Sequence, residues 1–174
     1  MSIWVLPGVL LILANAFCRV KVLIALDYDT SAQKVAENGF LWAKSIKAQV
    51  ILLHVIADPA YYSSLEYSPI TGFAGYMDMT NNQLDSVDGL IKASQQYLNK
   101  IKHHLGDKKI QTIVKEGDFA GSILNTAKEL KADMIVMGSH SRSWLENIVM
   151  GSVTEKVLHG TVMPLLIIPT KRST

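Results

Sequence analysis

ADMIVMGSHSRSWLENIVMGSVT, residues 132–154, passes from an apolar run through a polar loop to the start of a helix. Residues 134–137 are short, apolar and include Ile135 and Val136, the pattern of a buried strand. Gly138 ends that run, and a loop of Gly, Ser, His and Arg begins. After Gly151-Ser152-Val153-Thr154, the apolar residues Val153, Val157 and Leu158 recur at helical spacing. Ser152 is the expected N-cap, with Glu155 three residues on completing a capping box. A strand's carboxyl end and a helix's amino end therefore both carry small residues and hydroxyls. Unbonded backbone N–H groups and the positive end of a helix dipole attract anions, so this is one way to hold phosphate. The alternative is a polar strand-to-helix connection with an ordinary cap. The chain contains neither G-x-x-x-x-G-K-[ST] nor a G-x-G-x-x-G after its first strand.

Upstream, residues 20–26 (VKVLIAL) form a nearly continuous hydrophobic run, expected of a strand with helices on both faces. DYDTS (27–31) is a polar break rich in helix caps. Ala32, Val35, Ala36, Phe40, Ala43 and Ile46 then mark the inward face of a helix ending near Lys47. Residues 49–56 (QVILLHVI) supply a second strand and complete a βαβ unit. Within that strand His54 reads as a core histidine with its bonds met. Residues 58–82 make a long connection with four tyrosines, suited to covering a ligand, forming a subunit contact or packing on itself. A second helix is traced by Leu84, Val87, Leu90, Ile91, Ser94, Tyr97 (or Leu98), Ile101 and Leu105. His103 and His104 near its end fit the helix dipole and solvent better than a metal.

Residues 109–115 supply a third strand. Asp118 should cap a helix that turns Ile123, Leu124, Ala127 and Leu130 inward. After the opening segment, the last helix ends at Gly160. Residues 163–169 form a final strand that Pro164 and Pro169 bracket, as suits a sheet edge. Five strands alternating with four helices make one doubly wound α/β domain with a parallel sheet. Asp27 follows the first strand, where such sheets bind ligands, although a cap on the next helix would also explain it.

The chain has 174 residues, 49% hydrophobic and 18% charged, which describes a globular protein of one domain. A formal charge of +2 with dispersed basic residues gives no footprint for nucleic acid. Cys18 is the only cysteine, which excludes an intramolecular disulfide and a cysteine-based zinc site. No interior run approaches the length of a membrane span. Residues 1–19 form an atypical apolar extension, with an Ala14-Asn15-Ala16 stretch resembling a small-residue cleavage site but no Lys or Arg before the apolar run. An extension from an upstream start, with translation beginning near Val20, is the expectation here. The alternatives are a degenerate export signal or a short helix packed on the domain. Residues 20–170 are the domain and 171–174 a tail.

Gly138-Ser139-His140-Ser141, nine further residues and then Gly151-Ser152 resemble the nucleotide loop of the universal stress protein family. That family's pattern is Gly, two residues, Gly, nine residues, Gly and Ser or Thr. The preceding strand and the closing GSVTEKVL resemble it too, and the likeness extends over residues 20–169. Ser141 stands where nucleotide-binding members have their second glycine. Where φ is positive, serine in place of glycine costs on the order of 1 kcal/mol. Arg142, beside it, brings a guanidinium suited to phosphate oxygens.

The resemblance implies strand order 3-2-1-4-5 and a cytoplasmic dimer paired through the final edge strand, 163–169. It also implies ATP, or else ADP or AMP, with Mg accompanying a triphosphate. Asp27 and Val55 would lie at the adenine end, and Met137, Gly138, His140, Ser141 and Arg142 along the ribose and phosphates. Gly151, Ser152, Val153 and Thr154 would cradle the phosphates. Such a protein acts as a stress sensor or chaperone-like module. A dimeric interaction module of the same fold without nucleotide is the second expectation, and Ser141 favours it. No catalytic base is identifiable, so no catalytic residue is assigned and any ATP hydrolysis would be slow. A serine-hydrolase elbow is absent.

Overall fold

A computed structural model of the chain describes residues 19–56, 87–139 and 151–170. The amino-terminal extension, the tyrosine-rich connection and residues 140–150 of the loop lie outside them. The described elements run β1 (Lys21–Leu26), α1 (Ala32–Ser45), β2 (Gln49–Ile56), α2 (Val87–Leu105), β3 (Gln111–Glu116), α3 (Phe119–Glu129), β4 (Met134–Gly138), α4 (Ser152–Gly160) and β5 (Leu165–Ile168). All four strand pairings are parallel, in the order β3-β2-β1-β4-β5. This is the doubly wound α/β domain expected from the pattern of elements, with the order implied by the family resemblance.

Alternation along the strands explains the two layers of core. Val22, Ile24, Leu26, Val50, Leu52 and Val136 face one side and pack with Val35 and Phe40 of α1 and Leu98 and Ile101 of α2. Their neighbours Leu23, Ile51, Leu53, Val55, Ile135 and Met137 face the other and pack with Ala120, Ile123 and Ala127 of α3 and Val157 of α4. Both faces are covered, so the strands read as unbroken apolar runs. Gly39 lets α1 lie close to the sheet: a Cβ there would sit 2.9 Å from Ile24 Cδ1 and 3.1 Å from Val136 Cγ1.

Several expectations are corrected in detail. β1 begins at Lys21, one residue late, with the Val20 carbonyl just before it accepting from Gln49 N. α1 ends at Ser45, before Lys47. Lys47 adopts φ 55, and the bonds Ala48 N to Ala43 O and Lys47 N to Lys44 O close a Schellman motif. Ile46 therefore leaves the inward face and is 40% exposed; Ile91 on α2 is likewise 38% exposed. β3 is shifted to 111–116, and β5 is confined to the four residues between the prolines. Asp118 caps α3 as expected, its carboxylate accepting from Gly121 N at 2.8 Å. The expected capping box on α4 does not form. Gly151 is the N-cap, its carbonyl accepting from Glu155 N at 3.0 Å, and Ser152 is already inside the helix.

Candidate functional site

Each parallel crossover brings a strand's carboxyl end and the next helix's amino end to the same rim of the sheet. At that rim β1 and β2 are in register at Leu26 and His54. β1 and β4 are in register at Ile24 and Val136, so Leu26 and Gly138 stand level two residues on. Asp27, Val55 and Gly138 thus share one edge, as the sequence reading requires.

The start of α4 is fastened against the end of β4. Gly151 N donates to Ser139 O at 2.9 Å, and Thr154 Oγ1 donates to Gly138 O at 3.0 Å. Ser139 N donates in turn to Ile168 O of β5 at 3.0 Å, and Thr170 N donates to Ser139 Oγ at 3.1 Å. Among the described residues no side chain caps α4. Its first amides, on Ser152 and Val153, have no backbone acceptor among the described residues, so an uncapped helix end faces the rim.

The side chains of Val55 and Met137 are buried in the core beside α3 and α4, so these two residues can offer a ligand only their backbone. Thr154 is buried with its hydroxyl engaged, and the same holds for it. Asp27 does not cap α1. Its Oδ1 accepts from Asp29 N at 3.2 Å, while Asp29 Oδ1 accepts from Ser31 N at 2.8 Å. The structure brings Asp27, Val55, Met137, Gly138, Gly151, Ser152, Val153 and Thr154 to one rim. His140, Ser141 and Arg142 lie outside the described residues.

Beneath Asp27 lies a cluster that the sequence does not announce. The Tyr28 and His54 ring centroids are 3.9 Å apart, with Tyr97 of α2 at 5.4 Å from Tyr28 and 5.9 Å from His54. Tyr97 OH donates to Asp27 O at 2.8 Å. His54 Nδ1 lies 2.7 Å from Leu26 O. A carbonyl only accepts, so Nδ1 carries the proton and Nε2 does not. Nε2 is buried without a hydrogen-bond partner, which corrects the expectation that this histidine is fully satisfied. Burial drives its pKa down to about 4, against smaller upward pulls from the Leu26 bond and the Asp27 charge. The signal that could have found the cluster is a histidine inside a strand, one residue before Val55.

His104 pairs with Glu37 across α1 and α2 at 2.7 Å, which accounts for it without a metal. Among the described residues no group of three or more His, Cys, Asp or Glu could hold a metal ion. Among them, too, no helix is long and apolar enough to cross a membrane.

The profile of the universal stress protein family matches residues 19–169. Universal stress protein MJ0577 of Methanocaldococcus jannaschii is 31% identical over 159 residues, spanning 88% of this chain and 96% of the relative. A solved structure of MJ0577 matches with a TM-score of 0.61 at 27% identity, covering 88% of this chain and 98% of the other. A universal stress protein in complex with cAMP matches with a TM-score of 0.58 at 17% identity, covering 88% and 98%. One from Archaeoglobus fulgidus in complex with dAMP matches with a TM-score of 0.52 at 16% identity, covering 85% and 96%. At these last two identities the likeness is one of fold.

Proposed function

The chain belongs to the universal stress protein family, and from that premise we propose that it binds an adenine nucleotide, ATP with Mg, at the carboxyl rim of its sheet. The observation that carries this reading is the amino end of α4, uncapped among the described residues and fastened to the end of β4 through Gly151 and Thr154. Amides of Ser152, Val153 and Thr154 would receive phosphate oxygens there, with the helix dipole adding to the attraction. Gly151 admits the phosphates because it presents no side chain. Asp27 and the Val55 backbone would meet the adenine; Met137, Gly138, His140, Ser141 and Arg142 would line the ribose and phosphates. Complexes of fold relatives with cAMP and dAMP support an adenine ligand. In this reading the protein is a cytoplasmic sensor or chaperone-like dimer, joined through β5.

A second reading is favoured by Ser141, which stands where the family's nucleotide pattern has glycine. In it the chain is a dimeric interaction module that holds no nucleotide. Calorimetry with Mg-ATP on the native protein, Gly151→Val and Ser141→Gly separates the two. Micromolar binding lost in Gly151→Val supports the nucleotide reading. No native binding, restored by Ser141→Gly, supports the interaction module. No binding by any of the three would overturn the site.

A further inference from the structure

The turn that carries Asp27 is anchored at three successive residues by side chains from other elements. Leu26 O accepts from His54 Nδ1 of β2 at 2.7 Å, and Asp27 O accepts from Tyr97 OH of α2 at 2.8 Å. Tyr28 OH is bonded to Ser94 Oγ of α2. Ser94 Oγ itself donates to Leu90 O at 2.7 Å, which leaves Tyr28 as the donor of the pair. The turn is already closed internally by Asp27 Oδ1 on Asp29 N and Asp29 Oδ1 on Ser31 N. Those two bonds are local to the turn; the outside anchors fix where it stands and limit its opening.

His54 sharpens the point. It is 2% exposed in an otherwise apolar strand, and its Nε2 is unbonded. A buried polar atom without a partner carries a desolvation cost that leucine at this position would avoid. What histidine supplies that leucine cannot is the bond to Leu26. The same residue precedes Val55 in the chain. His54 thus links the two positions assigned to the adenine end through its ring bond to Leu26, the residue before Asp27, and its own peptide bond to Val55.

We propose that Tyr97, Ser94 and His54 are positioning residues that hold Asp27 in register with the Val55 backbone, so that α2 sets base recognition without touching the base. This rests on the nucleotide reading above for its ligand, though not for the anchoring of the turn. Tyr97→Phe keeps the ring and removes the bond to Asp27. Loss of one such bond is expected to weaken Mg-ATP about fivefold. The preference for Mg-ATP over Mg-GTP should narrow, while affinity for inorganic tripolyphosphate stays unchanged. By NMR, the amides of Asp29 and Ser31 should exchange faster, with little change in Tm. Unchanged ATP affinity and unchanged exchange would overturn the proposal. Equal weakening of ATP and tripolyphosphate, with faster exchange across the whole sheet, would also overturn it by reducing Tyr97 to a structural role. If the native protein binds no nucleotide, the ligand reading fails and the exchange measurement decides the anchoring: faster exchange confined to the turn sustains it, and no change overturns it.

Discussion

His54 folds as a neutral ring, with a proton on Nδ1 given to Leu26 and no partner at Nε2. Its pKa is about 4 in the folded protein against an ordinary 6.5. Between those values the unfolded chain binds the extra proton and the native state does not, so stability falls as pH falls. The loss begins near pH 6.5, levels off near pH 4 and amounts to on the order of 3 kcal/mol. Denaturant titrations at pH 7 and pH 4.5 check this, with His54→Gln expected to lose the histidine's share of the pH dependence. An equal fall in both proteins would place the acid sensitivity elsewhere. The burial of His54 is legible in its sequence neighbours, since QVILLHVI has no other polar residue past Gln49. Its unbonded nitrogen is not legible, because that depends on Tyr28 and Tyr97, one of them on a helix some forty residues away. The same limit applies to the site. Asp27, Gly138 and Gly151 are visible as residues at element ends, whereas the engagement of Thr154 with Gly138 O is visible only in the fold.

Helix ends divide by whether the sequence marks them. Asp118 is a recognisable cap and is found in that role. Lys47 and Lys131 terminate α1 and α3 at φ 55 and 52, each in a Schellman motif where glycine is the usual residue. A lysine gives no such signal, which is why α1 reads two residues too long. An L-residue in this conformation costs about 1–2 kcal/mol, and glycine would return about half through the greater entropy of its unfolded chain. Lys47→Gly is therefore expected to gain about 0.5 kcal/mol of stability, read as a higher midpoint of chemical denaturation. A loss would mean that the lysine side chain contributes something its exposed position does not indicate. On α4 the serine at position 152 reads as a cap, yet Gly151 takes the place, and the first amides are uncapped among the described residues.

At the scale of the molecule, spacing alone leads to a doubly wound domain, because strands and helices alternate. It does not lead to the strand order, which rests on pairings such as Val22 with Met134, over a hundred residues apart. The order places β5 outermost among the described strands, beside β4. Ile135 N bonds Pro164 O and Ser139 N bonds Ile168 O, so Leu166 and the other even-numbered residues face β4. Leu165 and Ile167 then turn their amides and carbonyls outward, a template for a second strand. Ile167→Pro removes an outward donor while sparing the ladder to β4. Sedimentation is expected to show the variant as monomer and the native chain as dimer; equal sizes would remove β5 from the interface. The rim has a further consequence, one of competition. At α1 and α3 the amides near the helix start already hold a carboxylate of this chain, Asp29 on Ser31 and Asp118 on Gly121. A diffusing phosphate would have to displace a tethered rival whose effective concentration is that of an intramolecular partner, in the millimolar range or above. Among the described residues no tethered carboxylate caps α4. In the nucleotide reading, this competition would steer an anion away from α1 and α3 and toward Gly151.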